Sequence, residues 1–253
     1  MNDLVSVIIP VYNSETTIHQ TLESIGKQTY QHIEIIAYDD ASCDSSLSIL
    51  HSAAEKYDFP IKVLSGKENK GVSFARNECM KISSGRYIAF CDSDDIWFPE
   101  KIDIQIDAMI NSGFSCCHSA IYICDNNMNI LSNEETKPRV RLSDQKFRNN
   151  IILSTGIYDR KNIGIFYFEE NLPHEDFQMW NELLKNHDSI GIVEPQVCYR
   201  LRSDSLSSKK HNVWIWFLKI SYRNFGLLQA FYGFPFFFYY GLRRLWRIQK
   251  LKL

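Results

Sequence analysis

The sequence has no glycine-rich phosphate-binding motif. Neither G-x-G-x-x-G nor G-x-x-x-x-G-K-[ST] occurs in its 253 residues. Those motifs bring backbone N–H groups against the phosphates of dinucleotides and nucleoside triphosphates. Their absence argues against a dinucleotide-dependent oxidoreductase and against a P-loop enzyme. The zinc-site signature that combines H-x-E with C-x-x-C is absent as well, because no C-x-x-C occurs.

The cysteines show no paired pattern. Seven are present, an odd number without metal-ligand spacing, and several lie within apolar runs. We therefore expect them to be free core residues of a protein from a reducing compartment. The first residues lack the basic region of a signal peptide and turn polar early, which predicts a cytosolic catalytic body.

Acidic residues are missing from the end of the chain. None follows Asp204, whereas nine cations do, which leaves 19 cations and 30 carboxylates before that point, a formal charge of −11. Residues 225–242 carry no charge and are rich in aromatics, although Gly226, Gly233 and Pro235 interrupt them. Cations flank this stretch on both sides, which favours a segment lying in the membrane interface over one that spans it. A buried C-terminal helix pair and a true span remain the alternatives.

Strand and helix patterns alternate through the first half of the chain. Strands are predicted at residues 5–10, 33–38, 61–64 and 87–91, and helices at residues 16–27, 44–57, 72–83 and 99–109. Continuous apolar strands joined by helices indicate an α/β protein with a mostly parallel sheet covered on both faces, in a Rossmann-like arrangement.

The second half of the chain changes character. Residues 117–124 and 129–131 predict a hairpin, 132–150 a polar loop, 175–185 a helix and 189–200 a strand.

Carboxylates crowd the end of the fourth predicted strand. Asp92, Asp94 and Asp95 fall within four positions, and like charges this close destabilise a fold unless something offsets them. A divalent cation with oxygen ligands would do so and would also bind a diphosphate. The alternative is that Asp94 or Asp95 caps the following helix, which would explain one carboxylate but not three. Because ligands bind beyond the carboxyl ends of parallel strands, we expect this loop at the functional edge.

Several short motifs together resemble family 2 glycosyltransferases of the GT-A fold. They are PVYN at 10–13, DDASCD at 39–44, NKGVSFARN at 69–77, DSDD at 92–95 and HED at 174–176. The resemblance implies an inverting transferase that uses a nucleotide-diphosphate sugar, usually UDP-linked, with Mn²⁺ or Mg²⁺. Accordingly, residues 1–208 are predicted to form the GT-A domain, with a nucleotide-sugar half at 1–115 and an acceptor half at 116–208. Residues 209–253 are the predicted membrane-docking segment.

The resemblance also implies residue roles on the donor side. Asp39 would accept from the imide N–H of the base, unless it caps the following helix. Arg76 would lie near the sugar or diphosphate, unless it forms a surface ion pair. Asp94 would bind the metal, and Asp92 would contact the ribose or the metal-bound waters. The other predicted donor contacts are Pro10, Tyr12, Asn13, Ser93 and Arg202.

On the acceptor side, the resemblance places the catalytic base at Asp176. Glu175 is the neighbour that could replace it, and both could equally be favourable acids at a helix N-terminus. An inverting displacement needs such a base to take the proton of the acceptor hydroxyl.

The chain departs from the family pattern at a few positions. Ala41 and Cys43 stand where Gly and Thr are common, and Arg202 stands where many members have His. Arginine cannot ligate a metal but can pair with phosphate. The Q-x-x-R-W signature of processive polymerases is absent, so we expect addition of a single sugar.

The resemblance implies a transferase that adds one sugar to a lipid-linked or polysaccharide acceptor at the cytoplasmic face of a bacterial inner membrane. The expected pathway is lipopolysaccharide O-antigen or core, or capsule, and no nucleic-acid partner is expected. The rival interpretations are a sugar-phosphate nucleotidyltransferase and a catalytically silent sugar-nucleotide-binding membrane protein.

Overall fold

The computed structural model describes residues 3–170, 172, 174–201, 213–227, 232, 235 and 239. In the first half the elements are β1 Val5–Val11, α1 Ile18–Gly26, β2 Ile33–Asp39, α2 Ser46–Lys56, β3 Ile61–Ser65, α3 Val72–Ile82, β4 Tyr87–Phe90, β5 Ile96–Trp97 and α4 Lys101–Ser112. In the second half they are β6 Cys116–Cys124, β7 Ile130–Glu134, β8 Arg139–Val140, β9 Ile157–Asp159, α5 Arg160–Ile163, α6 Glu175–Leu184, β10 Ser189–Arg200 and α7 Val213–Phe225. Two short 3-10 helices lie at Leu142–Lys146 and Leu153–Thr155.

One sheet connects all the strands, in the order β3-β2-β1-β4-β9-β6-β10-β5, with β7 on β6 and β8 on β10. Strands β1 to β4 are mutually parallel, and β10 runs parallel to β6. The antiparallel β9 joins these two parallel groups by pairing with β4 and β6. The predicted α/β fold with a mostly parallel, helix-covered sheet is confirmed.

Hydrophobic side chains fill both faces of the sheet. Alternate residues of β1 point to opposite faces, so Val7 joins one core cluster and Ile8 the other. Helices α1, α2 and α4 cover the first cluster, and α3 and α6 cover the second. Trp180 of α6 is fully buried. Each such side chain contributes about 1.5–3 kcal/mol when removed from water, which fixes α6 and its N-terminus against the sheet.

The predicted loop at residues 132–150 is partly wrong. Strand β7 continues to Glu134, β8 follows, and a 3-10 helix occupies Leu142–Lys146. Strands β5 and β9 were not predicted either. These strands have two or three residues and no period of their own, so pairing with distant strands holds them. Ile96, for example, pairs with Cys198.

The prediction of free core cysteines is confirmed for six of the seven and is wrong for Cys43. All seven are free, six are buried and Cys43 is exposed. Burial raises the pKa of the Cys91 thiol well above its usual value, and the nearby carboxylates Asp95 and Asp92 add to the shift. A thiol in such surroundings stays protonated and unreactive.

Helix α7 packs on α6. Phe217 and Ile220 are buried against Phe177, and the Phe177 and Phe217 rings stack with their centroids 6.1 Å apart. Arg223 pairs with Glu169 at the rim of this contact. No helix within the described part of the chain has the length and apolar character needed to cross a membrane. The domain boundary at residue 208 and the membrane role of the tail stay predictions, since most of residues 225–242 lie outside the described residues.

Candidate active site

Three loops meet beyond the carboxyl ends of the parallel strands, as the sequence predicts. Asn13, after β1, accepts through its Oδ1 from the Cys43 N–H at 2.8 Å, and its own N–H donates to Ser42 Oγ at 2.9 Å. Ser14 Oγ lies 2.8 Å from Ser93 Oγ in the loop after β4. Asn13 and Ser93 therefore join neighbouring loops in this structure, in addition to their predicted contacts with the donor.

Asp39 has an unused oxygen at the end of β2. Its side chain is buried, and Oδ2 accepts from the Ser42 N–H at 3.0 Å. Oδ1 is also buried and has no hydrogen-bond partner among the described residues. Such a group is costly unless a ligand satisfies it. An oxygen of this kind fits the imide N–H of a uracil-like base. Asp39 does not cap α2, whose N-cap is Ser45, so that alternative is wrong.

Tyr12 and Pro10 occupy different surroundings on the first loop. The Tyr12 side chain is 48% exposed, which leaves its ring face available to stack on a planar ligand. Pro10 is buried within β1, opposite Tyr38 of β2. Pro10 therefore packs inside the sheet at the end of β1 and supports the first loop.

Asp40, the residue after Asp39, was not singled out from the sequence. Its two carboxylate oxygens accept from the Lys70 and Gly71 N–H groups at 2.9 and 2.7 Å. These bonds tie the start of α3 to the end of β2. The adjacent pair of acids in DDASCD could have indicated that one of them is structural, but the sequence does not show which.

The DSDD loop divides its carboxylates between a buried and a partly exposed position. Asp95 is buried, and its Oδ1 accepts from the Arg200 N–H at 3.1 Å. Burial raises the pKa of Asp95 well above its usual value, and the charges of Asp94 and Asp92 raise it further. Asp92 and Asp94 are only partly buried. Asp95 is therefore a structural acid under the loop.

Neither Asp94 nor Asp95 caps the following helix. Helix α4 begins at Lys101, with Glu100 at the N-cap and no side-chain cap. The capping alternative is therefore wrong, and another explanation for the three carboxylates is required.

The donor set of this loop fits a divalent cation held jointly with a diphosphate. Among the described residues, no group of three or more His, Cys, Asp or Glu side chains forms a metal site. Mg²⁺ and similar cations are commonly held by one or two carboxylates together with substrate phosphates and water. Asp94 with Asp92 supplies that number, although Oδ1 of Asp92 already accepts a hydrogen bond from an arginine.

That arginine is Arg76 of α3, which joins the two sides of the site. It is 4% exposed, and its two terminal nitrogens donate to Asp92 Oδ1 and Glu175 Oε1, each at 2.7 Å. The guanidinium also lies over the Phe168 ring, 5.2 Å from its centroid. The predicted alternative of an ion pair is present, but the arginine lies below the surface, since its side chain is 5% exposed, whereas Asp92 is 35% exposed and Glu175 is 15% exposed. Arg76 links the DSDD loop to the N-terminus of α6.

The two adjacent acids at the start of α6 have different partners. Oε1 of Glu175 is held in an ion pair with Arg76 Nη1 at 2.7 Å. Among the described residues, Asp176 accepts one hydrogen bond, from the neutral Asn149 Nδ2 to its Oδ2 at 3.1 Å. Asp176 is thus better suited than Glu175 to take a proton from a substrate. Both acids also benefit from the helix N-terminus.

A second arginine, Arg200, holds the DSDD loop from the other side. It is buried, its Nε donates to the Asp94 carbonyl at 2.9 Å, and its terminal nitrogens reach Asn126 and Gln20. Arg202, the arginine predicted from the sequence, lies outside the described residues. The Tyr-Arg pair at the end of a predicted strand was the available signal for Arg200.

Comparison with known proteins identifies the family. The profile described as "Glycosyl transferase family 2" matches residues 6–168. The chain belongs to this family. It is therefore an enzyme, a family 2 glycosyltransferase of the surface-polysaccharide type, and the rival interpretations as a nucleotidyltransferase or a silent binding protein are set aside.

Two curated relatives are similar over most of their length. One is the UDP-Glc:alpha-D-GlcNAc-diphosphoundecaprenol beta-1,3-glucosyltransferase WfgD of Escherichia coli, 35% identical over 210 residues that cover 82% of this chain and 81% of the relative. The other is the putative teichuronic acid biosynthesis glycosyltransferase TuaG of Bacillus subtilis, 33% identical, with 82% of each chain covered.

Solved structures share the fold. TarS of S. aureus, in complex with UDP-GlcNAc, superposes with a TM-score of 0.72 at 23% identity, over 92% of this chain and 70% of that one. A mannosyltransferase of Pyrobaculum calidifontis, in complex with GDP-Man and Mn²⁺, superposes with a TM-score of 0.60 at 18% identity, over 91% and 64%. At these identities the likeness shows the GT-A fold alone.

Proposed function

We propose that this glycosyltransferase moves one sugar from a UDP-sugar to a lipid-linked acceptor, with inversion at the anomeric carbon. One observation carries the proposal. Arg76 binds Asp92 of the DSDD loop and Glu175 beside Asp176, each at 2.7 Å. A carboxylate loop suited to a diphosphate and a carboxylate suited to proton transfer therefore lie against the same buried guanidinium.

The donor would be held by residues from three loops. Asp39 Oδ1 accepts from the base N–H, and Tyr12 stacks on the base. Asp94, with Asp92, would hold the cation, which would supply positive charge to stabilise the diphosphate leaving group. Contacts of Asn13, Ser93 and Arg202 with the donor remain part of the proposal.

The transfer step assigns the base role to Asp176. The acceptor hydroxyl gives its proton to the Asp176 carboxylate while its oxygen forms a bond to the anomeric carbon. The bond from that carbon to the diphosphate oxygen breaks, and its electron pair leaves with UDP. Attack from the face opposite the diphosphate inverts the configuration.

The relatives support a UDP-sugar donor and a lipid-diphosphate acceptor. The Escherichia coli relative is named for UDP-Glc and GlcNAc-diphosphoundecaprenol, and TarS was solved with UDP-GlcNAc. We extend these substrate classes to this chain and place it in O-antigen, core or capsule synthesis. Its site of action would be the cytoplasmic face of a bacterial inner membrane, to which it binds peripherally.

Thermal unfolding with a panel of UDP-, GDP- and dTDP-sugars, with and without Mn²⁺ or Mg²⁺, tests the donor assignment. A donor present at 100 times its Kd should add about 2.7 kcal/mol to the unfolding free energy. We expect UDP-sugars to protect best and to need the cation.

The Asp94→Asn variant tests the metal assignment. It should keep the fold, lose most transfer activity and lose the cation dependence of donor binding, because one ligand charge is gone. Glu55→Gln, an exposed acid on α2, is the matched control and should behave as wild type. Full transfer by Asp94→Asn in the presence of a chelator would contradict the assignment.

A further inference from the structure

Arg76 shares one positive charge between the two sides of the site. Its Nη2 donates to Asp92 Oδ1 and its Nη1 donates to Glu175 Oε1, each at 2.7 Å. An arginine stays protonated in a folded protein, so this charge is present at every working pH. The proposed function assigns Asp92 to the cation and the diphosphate, whereas Glu175 lies next to the proposed base. A change of charge on one side therefore acts on the other through a single guanidinium.

Asp92 is the carboxylate for which Arg76 and a divalent cation would compete. Its Oδ1 already accepts from the arginine, so a cation would either displace that bond or bind through the other oxygen with the guanidinium close by. In the second arrangement the two positive charges repel, and they do so strongly because the Arg76 side chain is only 5% exposed. Asp92 is 35% exposed, so water reduces the repulsion without removing it. In both arrangements Arg76 weakens the binding of a cation on its own.

The surroundings of Arg76 keep its charge beside the DSDD loop. The guanidinium lies over the Phe168 ring, 5.2 Å from its centroid. Asn77, the next residue of α3, fixes the Phe168 backbone, because its Oδ1 accepts from the Phe168 N–H at 2.7 Å and its Nδ2 donates to the Phe168 carbonyl at 2.9 Å. Turning the arginine away would give up the ring contact and both ion pairs, so a cation meets this charge in place.

The backbone of Asp92 is fixed as well. Its N–H donates to Ser154 Oγ at 3.1 Å, and the N–H of the preceding Cys91 donates to the Ile8 carbonyl, also at 3.1 Å. These bonds tie the start of the DSDD loop to β1 and to the second 3-10 helix. The loop cannot move away from Arg76 without breaking them. The competition at Asp92 is therefore decided by charge and not by a movement of the loop.

A diphosphate would reverse this balance. Its negative charges attract both the cation and the guanidinium, so the repulsion between the two positive charges no longer opposes binding. Arg76 also has an unused donor, since its Nε is buried and has no hydrogen-bond partner among the described residues. Such a donor is costly unless a ligand or a water satisfies it. The nucleotide and the cation should each strengthen the binding of the other, and Arg76 should increase that coupling.

We propose that Arg76 makes cation binding depend on the nucleotide diphosphate, because it competes with the cation for Asp92 until the diphosphate is bound. The inference rests on the proposed function, since it requires both ligands at the DSDD loop. Glu175 is a positioning residue in this arrangement, because its charge offsets part of the charge of Arg76. An acid beside the proposed base therefore raises the affinity for a cation that it does not contact.

Arg76→Gln tests the competition. It removes the charge and retains an amide that can donate to one carboxylate. The EPR signal of free Mn²⁺, with and without UDP at constant ionic strength, gives the Kd of Mn²⁺ after correction for the Mn²⁺–UDP complex in solution. In wild type we expect UDP to tighten Mn²⁺ binding about 100-fold, within the usual range of coupling between sites. In Arg76→Gln, Mn²⁺ alone should bind about 10-fold more tightly, and UDP should add only about 10-fold.

Arg86→Gln is the matched control for this loss of charge. Arg86 also pairs with two carboxylates, Asp159 and Asp3, but at the opposite edge of the sheet. Its removal should leave the Kd of Mn²⁺ within about twofold of the wild-type value, both with and without UDP. A difference between the two arginine variants therefore reports the position beside Asp92 and not the net charge of the protein.

Glu175→Gln should shift the Mn²⁺ affinity in the opposite direction. It leaves the charge of Arg76 to Asp92 alone, so Mn²⁺ without UDP should bind about 10-fold more weakly. Asp176→Asn removes the same charge one residue further along α6, where the partner is the neutral Asn149. It should change that Kd by less than about threefold. Because misfolded protein lowers the number of Mn²⁺ sites and not their Kd, these two variants test the inference even if Arg76→Gln does not fold.

The outcomes separate the inference from the proposed function. Suppose that Arg76→Gln binds Mn²⁺ no more tightly than wild type without UDP, or that Glu175→Gln changes the Kd no more than Asp176→Asn does. The inference is then overturned, while UDP-dependent Mn²⁺ binding by wild type still supports the proposed function. If Mn²⁺ does not bind wild type even with UDP, the proposed role of the cation is wrong and the inference falls with it.

Discussion

At the residue scale, Glu175 and Asp176 show how neighbouring acids acquire different roles. They share a helix N-terminus, but a buried arginine binds Glu175 and a neutral amide binds Asp176. The HED motif alone left both as candidate bases. The structure favours Asp176 as the base because its carboxylate accepts from a neutral amide, whereas that of Glu175 accepts from a charged arginine.

Amide variants of these two acids should therefore differ in kind. Asp176→Asn should lower turnover about 10²–10⁴-fold, the range for a lost general base, without weakening UDP binding. Glu175→Gln should lower turnover less and also lower the melting temperature, because Arg76 loses a charged partner. Steady-state kinetics, UDP titration and thermal melts of both variants check this. A parallel loss of UDP affinity in Asp176→Asn would move that residue to the donor side.

At the element scale, one guanidinium links α3 to the DSDD loop and to the start of α6. Arg76→Ala would leave the carboxylates of Asp92, in the DSDD loop, and Glu175, in α6, without the cation that they share. Breaking a buried pair costs about 3–5 kcal/mol, and the low end applies here because the Asp92 side chain is 35% exposed. Arg76→Lys should retain the charge but contact only one carboxylate. We expect it to fold and to lose about 10- to 100-fold in kcat.

Arg86→Ala is the control for this element-scale prediction. Arg86 pairs with Asp159 and Asp3 before β4, at the opposite edge of the sheet. Its removal should lower the melting temperature but leave kcat within about twofold, since no site residue moves. Equal losses of kcat in Arg86→Ala and Arg76→Lys would show that stability, and not the α3–α6 link, controls turnover.

The sequence predicts the long elements well and the tertiary contacts poorly. Strand β10 was predicted with the bounds it has, Ser189–Arg200, because twelve residues give a clear strand pattern. The site edge was predicted from topology, since parallel strands bring their carboxyl ends together. Asn149 and Arg200 were missed because their partners, Asp176 and Asp94, are distant in the chain and no local pattern marks such pairs.

At the scale of the whole molecule, the two signs of charge separate along the chain. The carboxylates all precede residue 205, and the last stretch is cationic. Helix α7 connects these parts, because its buried face packs on Phe177, next to Asp176. Removing everything after residue 208 would therefore expose Phe177 beside the proposed base, so point variants of the full chain are the cleaner test of the tail.

Tyr232→Ser/Tyr239→Ser should weaken binding of the full-length protein to anionic liposomes. Both tyrosines are exposed, at 70% and 57%, and their rings suit the boundary between headgroups and acyl chains. Transferring such a side chain from water contributes about 1.5–3 kcal/mol at full burial, so losing two should reduce partitioning at least about 10-fold. Each nearby Lys or Arg adds about 1 kcal/mol to the membrane-binding free energy, and only this electrostatic contribution should decrease as the salt concentration rises.

Ile110→Ser on α4, 63% exposed in the wild type, is the control and should sediment with the liposomes as the wild type does. Donor hydrolysis should be equal in all three proteins, while transfer to a lipid-linked acceptor in liposomes should fall only in the double variant. If the wild type does not bind anionic liposomes, or if the double variant cosediments with them as much as the wild type does, the tail does not dock through these rings.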